Sequence, residues 1–135
     1  MNTGYSGKPL YKKLGIKEQQ KIRLINPPGN YFQLLGDMPF EILEIEDLDV
    51  PKDFIHFFVV TEKELRETLF LLKDEILKNG MIWVSWYKKS SKIPTDITED
   101  VIRQYALPLG LVDVKVCAVD DKWSGLKLMW RKENR

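Results

Sequence analysis

Short apolar runs alternate with polar, amphipathic stretches along the chain, which predicts strands alternating with helices. Lys21–Asn26 has the alternation of a first strand, and Pro27 ends it. A short helix is predicted over Tyr31–Leu35 and a second short strand over Phe40–Ile45. Phe54–Val60 is a continuous β-prone run, typical of a central strand covered on both faces. The first half of the chain thus predicts three strands.

The clearest helix begins after Thr61. Thr61 and Glu64 match a capping box, in which a hydroxyl and a carboxylate each accept a hydrogen bond from a free amide at the helix start. Asn79 and Gly80 are the usual left-handed stop. The apolar positions recur at a spacing of four, three and four and predict one buried stripe: Leu65, Leu69, Leu72 and Ile76.

The second half of the chain predicts a strand, a helix and a hairpin. Met81–Trp86 is a buried strand. Asp96–Glu99 matches a second capping box, for a helix that Pro108 ends and whose apolar face holds Ile97, Val101 and Tyr105. Leu111–Val119 alternates, with Val112, Val114, Val116 and Ala118 on one side and Asp113, Lys115 and Cys117 on the other. The loop Asp120–Ser124 is short, so Gly125–Arg131 should return as an antiparallel strand.

This order predicts a three-layer, Rossmann-like α/β fold with a mostly parallel sheet and a C-terminal antiparallel hairpin. Helices between successive strands impose right-handed parallel crossovers. The closing hairpin resembles the reversed last strand of the class I methyltransferase fold, here truncated. A single domain over residues 1–135 is predicted, with an N-terminal arm over residues 1–20 that has a short helix around Leu10–Leu14, stopped by Gly15.

Composition narrows the classes of function. The formal charge is +1, so no long-range field recruits nucleic acid or an acidic membrane. Cys117 is the only cysteine, which excludes a disulfide framework and a cysteine-built zinc site within one chain. No export signal and no apolar run of membrane-spanning length is present, so we expect a cytoplasmic protein. Small molecules and protein partners remain as ligands.

Ligands of open α/β sheets bind at the carboxyl ends of the parallel strands. Four segments should converge there: Asn26–Asn30, Glu44–Asp49, Thr61 with its neighbours, and Trp86–Ser91. A nucleotide cofactor or S-adenosylmethionine wants a glycine-rich turn after the first strand. This turn has two prolines, which lack amide donors, and only Gly29; Glu46 stands near the position of a ribose-binding acid. No cofactor is predicted.

The segment after Met81 is the best surface candidate. Trp83, Ser85 and Tyr87 should share one face of the strand, and Trp86 and Lys88 the other. An aromatic platform edged by lysines suits a planar ligand with an anionic group; the competing interpretation buries both tryptophans under helices. The candidate ligand-binding residues are Asn26, Gly29, Ser85, Trp86, Lys88, Lys89, Thr95, Asp96, Asp100, Asp120 and Trp123.

Other chemical groups are sparse, and no catalytic residue or metal site is predicted. His56 is the only histidine and lies in a central strand, which favours a core histidine with one hydrogen-bonded nitrogen over a catalytic base. Cys117 is expected to be a small packing residue rather than a nucleophile. Asp113, Asp120 and Asp121 could bind a metal, but aspartates in hairpin loops usually make turns.

Six motifs resemble, from end to end, a family of small bacterial proteins classed as a domain of unknown function. They are GYSGKPLYKKLGI, LINPPGNY, IHFFVV, GMIWVSWYKK, TDITEDVIR and GLVDVKVCAVDDKWSGLKLMWR, within residues 4–131. The resemblance implies a Rossmann-like domain and brings no known activity. It directs attention to residues that core packing does not require: Tyr5, Ser6, Ser85, Trp86, Lys88, Thr95, Asp96, Asp100, Asp120, Trp123 and Ser124.

Two functions stay open. The first is a non-catalytic module that binds a small anionic ligand or a protein partner. The second is a small enzyme that uses Lys88 or Asp100 with Ser85 on an anionic small molecule. Transfer from S-adenosylmethionine has only the analogy of fold behind it.

Overall fold

A six-stranded mixed sheet with helices on both faces forms the core of the computed structural model, which describes residues 7–135. The predicted order of strands and helices is confirmed. In chain order the elements are α1 (Leu10–Leu14), β1 (Lys21–Ile25), α2 (Tyr31–Leu35), β2 (Leu43–Glu44), β3 (Lys52–Phe58), α3 (Glu62–Glu75), β4 (Ile76–Tyr87), α4 (Glu99–Ala106), β5 (Leu111–Ala118) and β6 (Trp123–Trp130).

The strands lie in the order β2-β1-β3-β4-β6-β5. The first four are parallel to one another, and β6 is antiparallel to both β4 and β5. The predicted fold class, a mostly parallel α/β sheet with an antiparallel C-terminal hairpin, is therefore confirmed. The hairpin is not appended at the edge, because β6 inserts between β4 and β5 and completes the hydrogen bonding of β4.

Two apolar cores lie on opposite faces of the sheet, which makes three layers. α3 and α4 cover one core, and α1 and α2 cover the other. Alternation along β4 sends Trp83 into the core under α1 and Val84 and Trp86 into the core under α3 and α4. Trp86 is only 9% exposed, so the surface platform proposed for it does not exist.

The end of α3 differs from the prediction. The helix ends at Glu75, Ile76 is already extended and pairs with Lys52 of β3, and Asn79 and Gly80 lie inside β4. A side chain at Gly80 would come within 2.9 Å of the Asp53 carbonyl oxygen. Gly80 therefore permits a close approach of two strands rather than stopping a helix.

The residues that cap the helices are partly those predicted. The Thr61 hydroxyl accepts from the Glu64 amide at 3.2 Å, but the Glu64 carboxylate bonds to Asn26 instead of completing the box. α4 begins two residues later than predicted, because Thr98 and not Asp96 caps it, through the Val101 amide at 3.2 Å. Its fully buried residues are Ile102 and Ala106, one position beyond the predicted face.

The alternation predicted for β5 is wrong beyond its first residues. A register shift between Asp113 and Lys115 interrupts the pairing with β6. As a result Val114 and Val116 are about half exposed, at 47% and 49%, and do not form a buried face. β5 is an edge strand, and such an irregularity hinders pairing with another sheet edge.

Candidate ligand-binding crevice

A crevice of about 1150 Å³ opens at the carboxyl ends of β1, β3 and β4. Asn26 follows β1, Phe58 and Val60 lie at the end of β3, and Tyr87 ends β4. The loop between β5 and β6 forms the opposite wall, and residues 7–13 with α2 form a third. The proline turn and the end of β4 therefore share one rim, as the sequence predicts.

The fourth predicted segment, Glu44–Asp49, does not line the crevice. The Asp47 carbonyl oxygen accepts a hydrogen bond from Lys52, at the amino end of β3, so this segment turns back toward the opposite rim. Glu46, the candidate ribose-binding acid, is accordingly absent from the crevice wall. The wall comes instead from the N-terminal arm, which the sequence did not single out for this purpose.

Aromatic rings form one wall of the crevice. Tyr87 and Trp123 stack with ring centroids 3.9 Å apart, and Phe58 meets Trp123 edge-on at 4.9 Å. Trp123 is 7% exposed, so its ring is mostly used in this packing. The aromatic surface beside β4 thus consists of Tyr87 and Trp123 rather than Trp86.

Beneath this wall lies a buried chain of three polar side chains. The His56 ring bonds to the Tyr31 hydroxyl through Nδ1 at 2.8 Å and to the Ser85 hydroxyl through Nε2 at 2.6 Å. Both ring nitrogens are satisfied, one more than predicted. Burial lowers the pKa of His56 to about 3 and raises that of Tyr31, and the Glu44 charge adds to the rise for Tyr31. His56 is therefore a neutral core residue, and Ser85, which is 0% exposed, does not reach the crevice.

The carboxylates on the crevice wall are largely occupied by internal hydrogen bonds. Glu64 accepts from the Asn26 side-chain amide at 2.9 Å, which also donates to the Phe58 carbonyl oxygen at 3.1 Å. Asp120 accepts from the amides of Lys122 and Trp123, both at 2.8 Å, and so fixes the loop. Asp121 is exposed at the tip of the same loop.

Two ammonium groups on the wall are not so occupied. Lys13 at the end of α1 and Lys122 in the β5–β6 loop line the crevice, and neither forms an ion pair with any residue in 7–135. Lys8 also lines it. The wall therefore carries Lys8, Lys13 and Lys122 beside Glu64, Asp120 and Asp121, and the ammonium groups of Lys13 and Lys122 are available to a ligand as charged hydrogen-bond donors.

The other predicted site residues near the rim stabilise the structure around it. The Thr95 hydroxyl donates to the Val60 carbonyl oxygen at 2.6 Å, and Asp96 accepts from the Glu62 amide at 3.2 Å. The Lys88 amide donates to the Lys122 carbonyl oxygen at 2.7 Å, which joins the end of β4 to the β5–β6 loop. None of these side chains lines the crevice.

The remaining candidates lie elsewhere. Gly29 is exposed beside the crevice, with open space where a side chain would stand. Lys89 is exposed in the single turn of helix after β4. Asp100, with its side chain 93% exposed, pairs with Arg103 at 2.9 Å on α4, across the sheet from Ser85. Of the predicted candidates, only Asn26, Asp120 and Trp123 line the crevice.

Sequence reasoning missed the lysines of the wall. Lys13 lies between the apolar positions Tyr11 and Leu14 of α1, and only the packing of α1 under the sheet brings it to the rim. Lys122 stands two residues after Asp120, in a loop that was considered for its aspartates. Tyr5 and Ser6, suggested by the family resemblance, lie outside the described residues.

Residues 7–135 form neither a recognisable metal centre nor a membrane-spanning helix. This part of the chain has no group of three or more acidic, histidine or cysteine side chains arranged to hold a metal ion. None of its helices has the length and apolarity needed to cross a membrane. Cys117 is half-buried, and burial raises the pKa of its thiol despite the nearby charges of Lys13 and Lys115.

No family model and no curated protein matches the sequence. Solved structures do match the fold. The ribosomal protein L11 methylase of Lactobacillus delbrueckii subsp. bulgaricus superposes with a TM-score of 0.60 at 10% identity, over 89% of this chain and 74% of its own. A putative type 11 methyltransferase of Sulfolobus solfataricus gives 0.60 at 14%, over 91% and 90%.

A third similar structure is an S-adenosylmethionine-dependent methyltransferase of Clostridium acetobutylicum, with a TM-score of 0.57 at 8% identity, over 82% of this chain and 83% of its own. Identities this low establish the fold alone. The chain has a truncated class I methyltransferase-like fold, as its closing hairpin predicts.

Proposed function

We propose that this protein is a non-catalytic binding module that holds a small anionic ligand in the crevice at the carboxyl ends of β1, β3 and β4. The observation that carries the proposal is the pair Lys13 and Lys122 on two different walls of a cavity of about 1150 Å³. A cavity of this size accommodates a metabolite-sized molecule.

The sign of the ligand's charge is inferred from which charged side chains of the crevice wall already have hydrogen-bond or ion-pair partners. Glu64 and Asp120 already accept hydrogen bonds from Asn26 and from loop amides, and Asp121 extends into solvent. Lys13 and Lys122 lack an ion-pair partner among residues 7–135. A carboxylate or phosphate group bound between them would form charge-assisted hydrogen bonds, which are stronger than neutral ones.

S-adenosylmethionine, the molecule named for one of the similar structures, does not fit the turn after β1. Pro27 and Pro28 have no amide hydrogen, and the Asn26 side chain is committed to Phe58 and Glu64. Gly29 is the only glycine in this turn, whereas a phosphate-binding turn needs several. No carboxylate from the end of β2 reaches the crevice wall to hold a ribose.

The arrangement of the polar side chains also favours binding over catalysis. The residues of the enzyme alternative are dispersed: Ser85 is buried against His56, whereas Asp100 is exposed beyond the opposite face of the sheet. His56 is hydrogen-bonded to the Ser85 hydroxyl, as a catalytic base would be to a nucleophile. Its ring has no exposed surface, however, so no substrate reaches it. We further propose that the chain belongs to the small bacterial family of unknown function that its motifs resemble, and that the crevice is the shared site of that family.

The proposal is tested by thermal shift and calorimetry with a panel of inorganic phosphate, dicarboxylates, nucleotides, acyl-CoA and S-adenosylmethionine. A ligand at one hundred times its dissociation constant adds about 2.7 kcal/mol to stability. We expect an anion to bind, and Lys13→Gln and Lys122→Gln each to weaken it at least tenfold, since a charge-assisted hydrogen bond contributes about 1.5–3 kcal/mol. Lys132→Gln, an exposed change far from the crevice, is the matched control.

Three results would contradict the proposal. Binding of S-adenosylmethionine in preference to simple anions would favour a function in S-adenosylmethionine-dependent transfer instead. Equal weakening by Lys132→Gln would show a general effect of charge. Conversion of the bound ligand, followed by NMR over hours, would make the protein an enzyme.

A further inference from the structure

The outward face of α3 carries large apolar side chains that remain more than half exposed within residues 7–135, although the Lys73 ammonium lies 4.2 Å from the centre of the Phe70 ring. Phe70 is 55% exposed and Leu71 is 66% exposed. A shallow groove of about 380 Å³ adjoins them, between α3 and the end of α4. Its lining is Arg66, Glu67, Phe70, Leu71, Tyr105 and Leu109. Adjacent exposed apolar residues on one helix are typical of a docking surface rather than of scattered surface positions.

Charged residues flank this apolar patch in a defined order. Lys63, Glu67, Phe70 and Asp74 form the outer stripe of α3, spaced by four, three and four residues. The stripe is basic at one end and acidic at the other, and the two ends are about 16 Å apart along the helix axis. Asp74 is 75% exposed and reaches no partner other than its neighbour Lys73, at 2.7 Å, within the described residues.

We propose that a second copy of this chain docks on this face, with the two α3 helices antiparallel about a two-fold axis. In that arrangement Lys63 of each copy faces Asp74 of the other, so one pairing occurs twice. In this register the axis passes between residues 68 and 69, so each Phe70 lies near the axis, opposite Glu67 of the other copy, and helps to cover the adjoining groove. Antiparallel packing is the orientation in which a stripe with opposite charges at its ends complements itself.

The charge pattern favours a second copy over an unrelated partner. A parallel arrangement, or a partner of one charge sign, would leave one end of the stripe beside a like charge. The reversed copy satisfies both ends and covers the same apolar residues on both chains. One helix and its adjoining groove form a small interface, so we expect a dissociation constant on the order of 1–100 μM.

The test is a charge exchange measured by sedimentation equilibrium over a range of protein concentrations. Lys63→Asp and Asp74→Lys should each weaken dimerisation at least tenfold, because each change creates two like-charge contacts. The double variant recreates both pairs in the reverse sense and should restore dimerisation to near the wild-type level. Rescue of this kind is specific to antiparallel self-association.

The substitutions should not change the stability of the folded monomer, so the test reports on dimerisation alone. The two positions are exposed, and each substitution places a charge that the helix dipole favours, acidic in the first turn and basic in the last. This gain offsets the small loss of the Lys73–Asp74 pair. Thermal denaturation at low concentration should therefore give similar midpoints for all variants.

Phe70→Glu serves as a second disruption, and Lys132→Asp as the matched surface control. We expect the first to abolish the dimer and the second to leave it intact. A wild-type protein that stays monomeric at concentrations on the order of 1 mM would overturn the proposal. So would a dimer that survives Phe70→Glu, or a double variant no better than the singles. None of these results bears on ligand binding in the crevice, which is tested separately.

Discussion

Lowering the pH from 7 to 5 should destabilise the folded protein through one side chain, His56. Its ring is buried, with both nitrogens bonded to hydroxyls, and burial holds its pKa at about 3, against an ordinary value of 6.5. Between these two values the unfolded chain binds a proton that the folded chain does not. The contribution of neutral His56 to the free energy of unfolding is therefore complete above pH 6.5, and it is lost as the pH falls toward 3.

The size of the effect follows from the same two values. The slope in this range approaches about 1.4 kcal/mol per pH unit, and integration from pH 7 to pH 5 gives a loss of about 2 kcal/mol in the free energy of unfolding. Carboxylates with ordinary pKa values titrate mainly below this range. Because His56 is the only histidine in the chain, no other imidazole contributes.

The measurement is urea denaturation at 25 °C in steps of pH, followed by tryptophan fluorescence on protein without a histidine tag. His56→Gln keeps a donor and an acceptor but does not titrate, so its stability should be nearly constant over the same range. The single imidazole signal in the NMR spectrum should remain that of the neutral ring at pH 5. A protonated ring in the folded protein at pH 5, or an unchanged slope in His56→Gln, would refute the reasoning.

Two further predictions concern packing and charge in the core. Trp86→Ala should lower the free energy of unfolding by about 3 kcal/mol or more, as truncation of a buried aromatic ring does; a loss below about 1 kcal/mol in urea denaturation would contradict its assignment to the core. Lys52→Ala should cost about 1.5–3 kcal/mol, because the buried Glu75 carboxylate loses the ammonium 2.9 Å away and keeps only its ion pair with Arg23. Lys52→Met combined with Glu75→Leu should recover most of that loss, and a double variant as unstable as the single would contradict the ion-pair explanation.

The fold was largely predictable because hydrophobic periodicity reports which faces of each element are buried. The prediction of the boundary between α3 and β4 was wrong. The helical spacing of Ile76 and the stop signal of Asn79 and Gly80 both indicated a longer helix than the structure has. The chain leaves the helix early because Ile76 pairs with Lys52 and because Glu75 meets Lys52 and Arg23. These contacts join residues far apart in sequence, so no local sequence pattern predicts them.

The candidate site was predictable only in outline. The rule that ligands bind at the carboxyl ends of parallel strands located the crevice and one wall residue, Asn26. Asp120 and Trp123 were candidates too, but the rule did not place the loop of an antiparallel hairpin at this rim. The rule does not say whether the tryptophans of β4 are buried or exposed. Both are buried, because helices cover both faces of that strand. Lys13 reaches the rim through the docking of the N-terminal arm, a tertiary contact without a sequence signal.

The insertion of β6 between β4 and β5 has a consequence for biosynthesis. β5 emerges from the ribosome before β6, yet β6 is the strand with which it pairs, so β5 must wait without a neighbour. During that interval the backbone groups of β4 on the same side are also unpaired, since β6 occupies that position. Nascent chains arrested before Trp123 should therefore have an open sheet, prone to aggregation and to chaperone binding, and complete folding should follow synthesis of the last strand rather than accompany that of the first five.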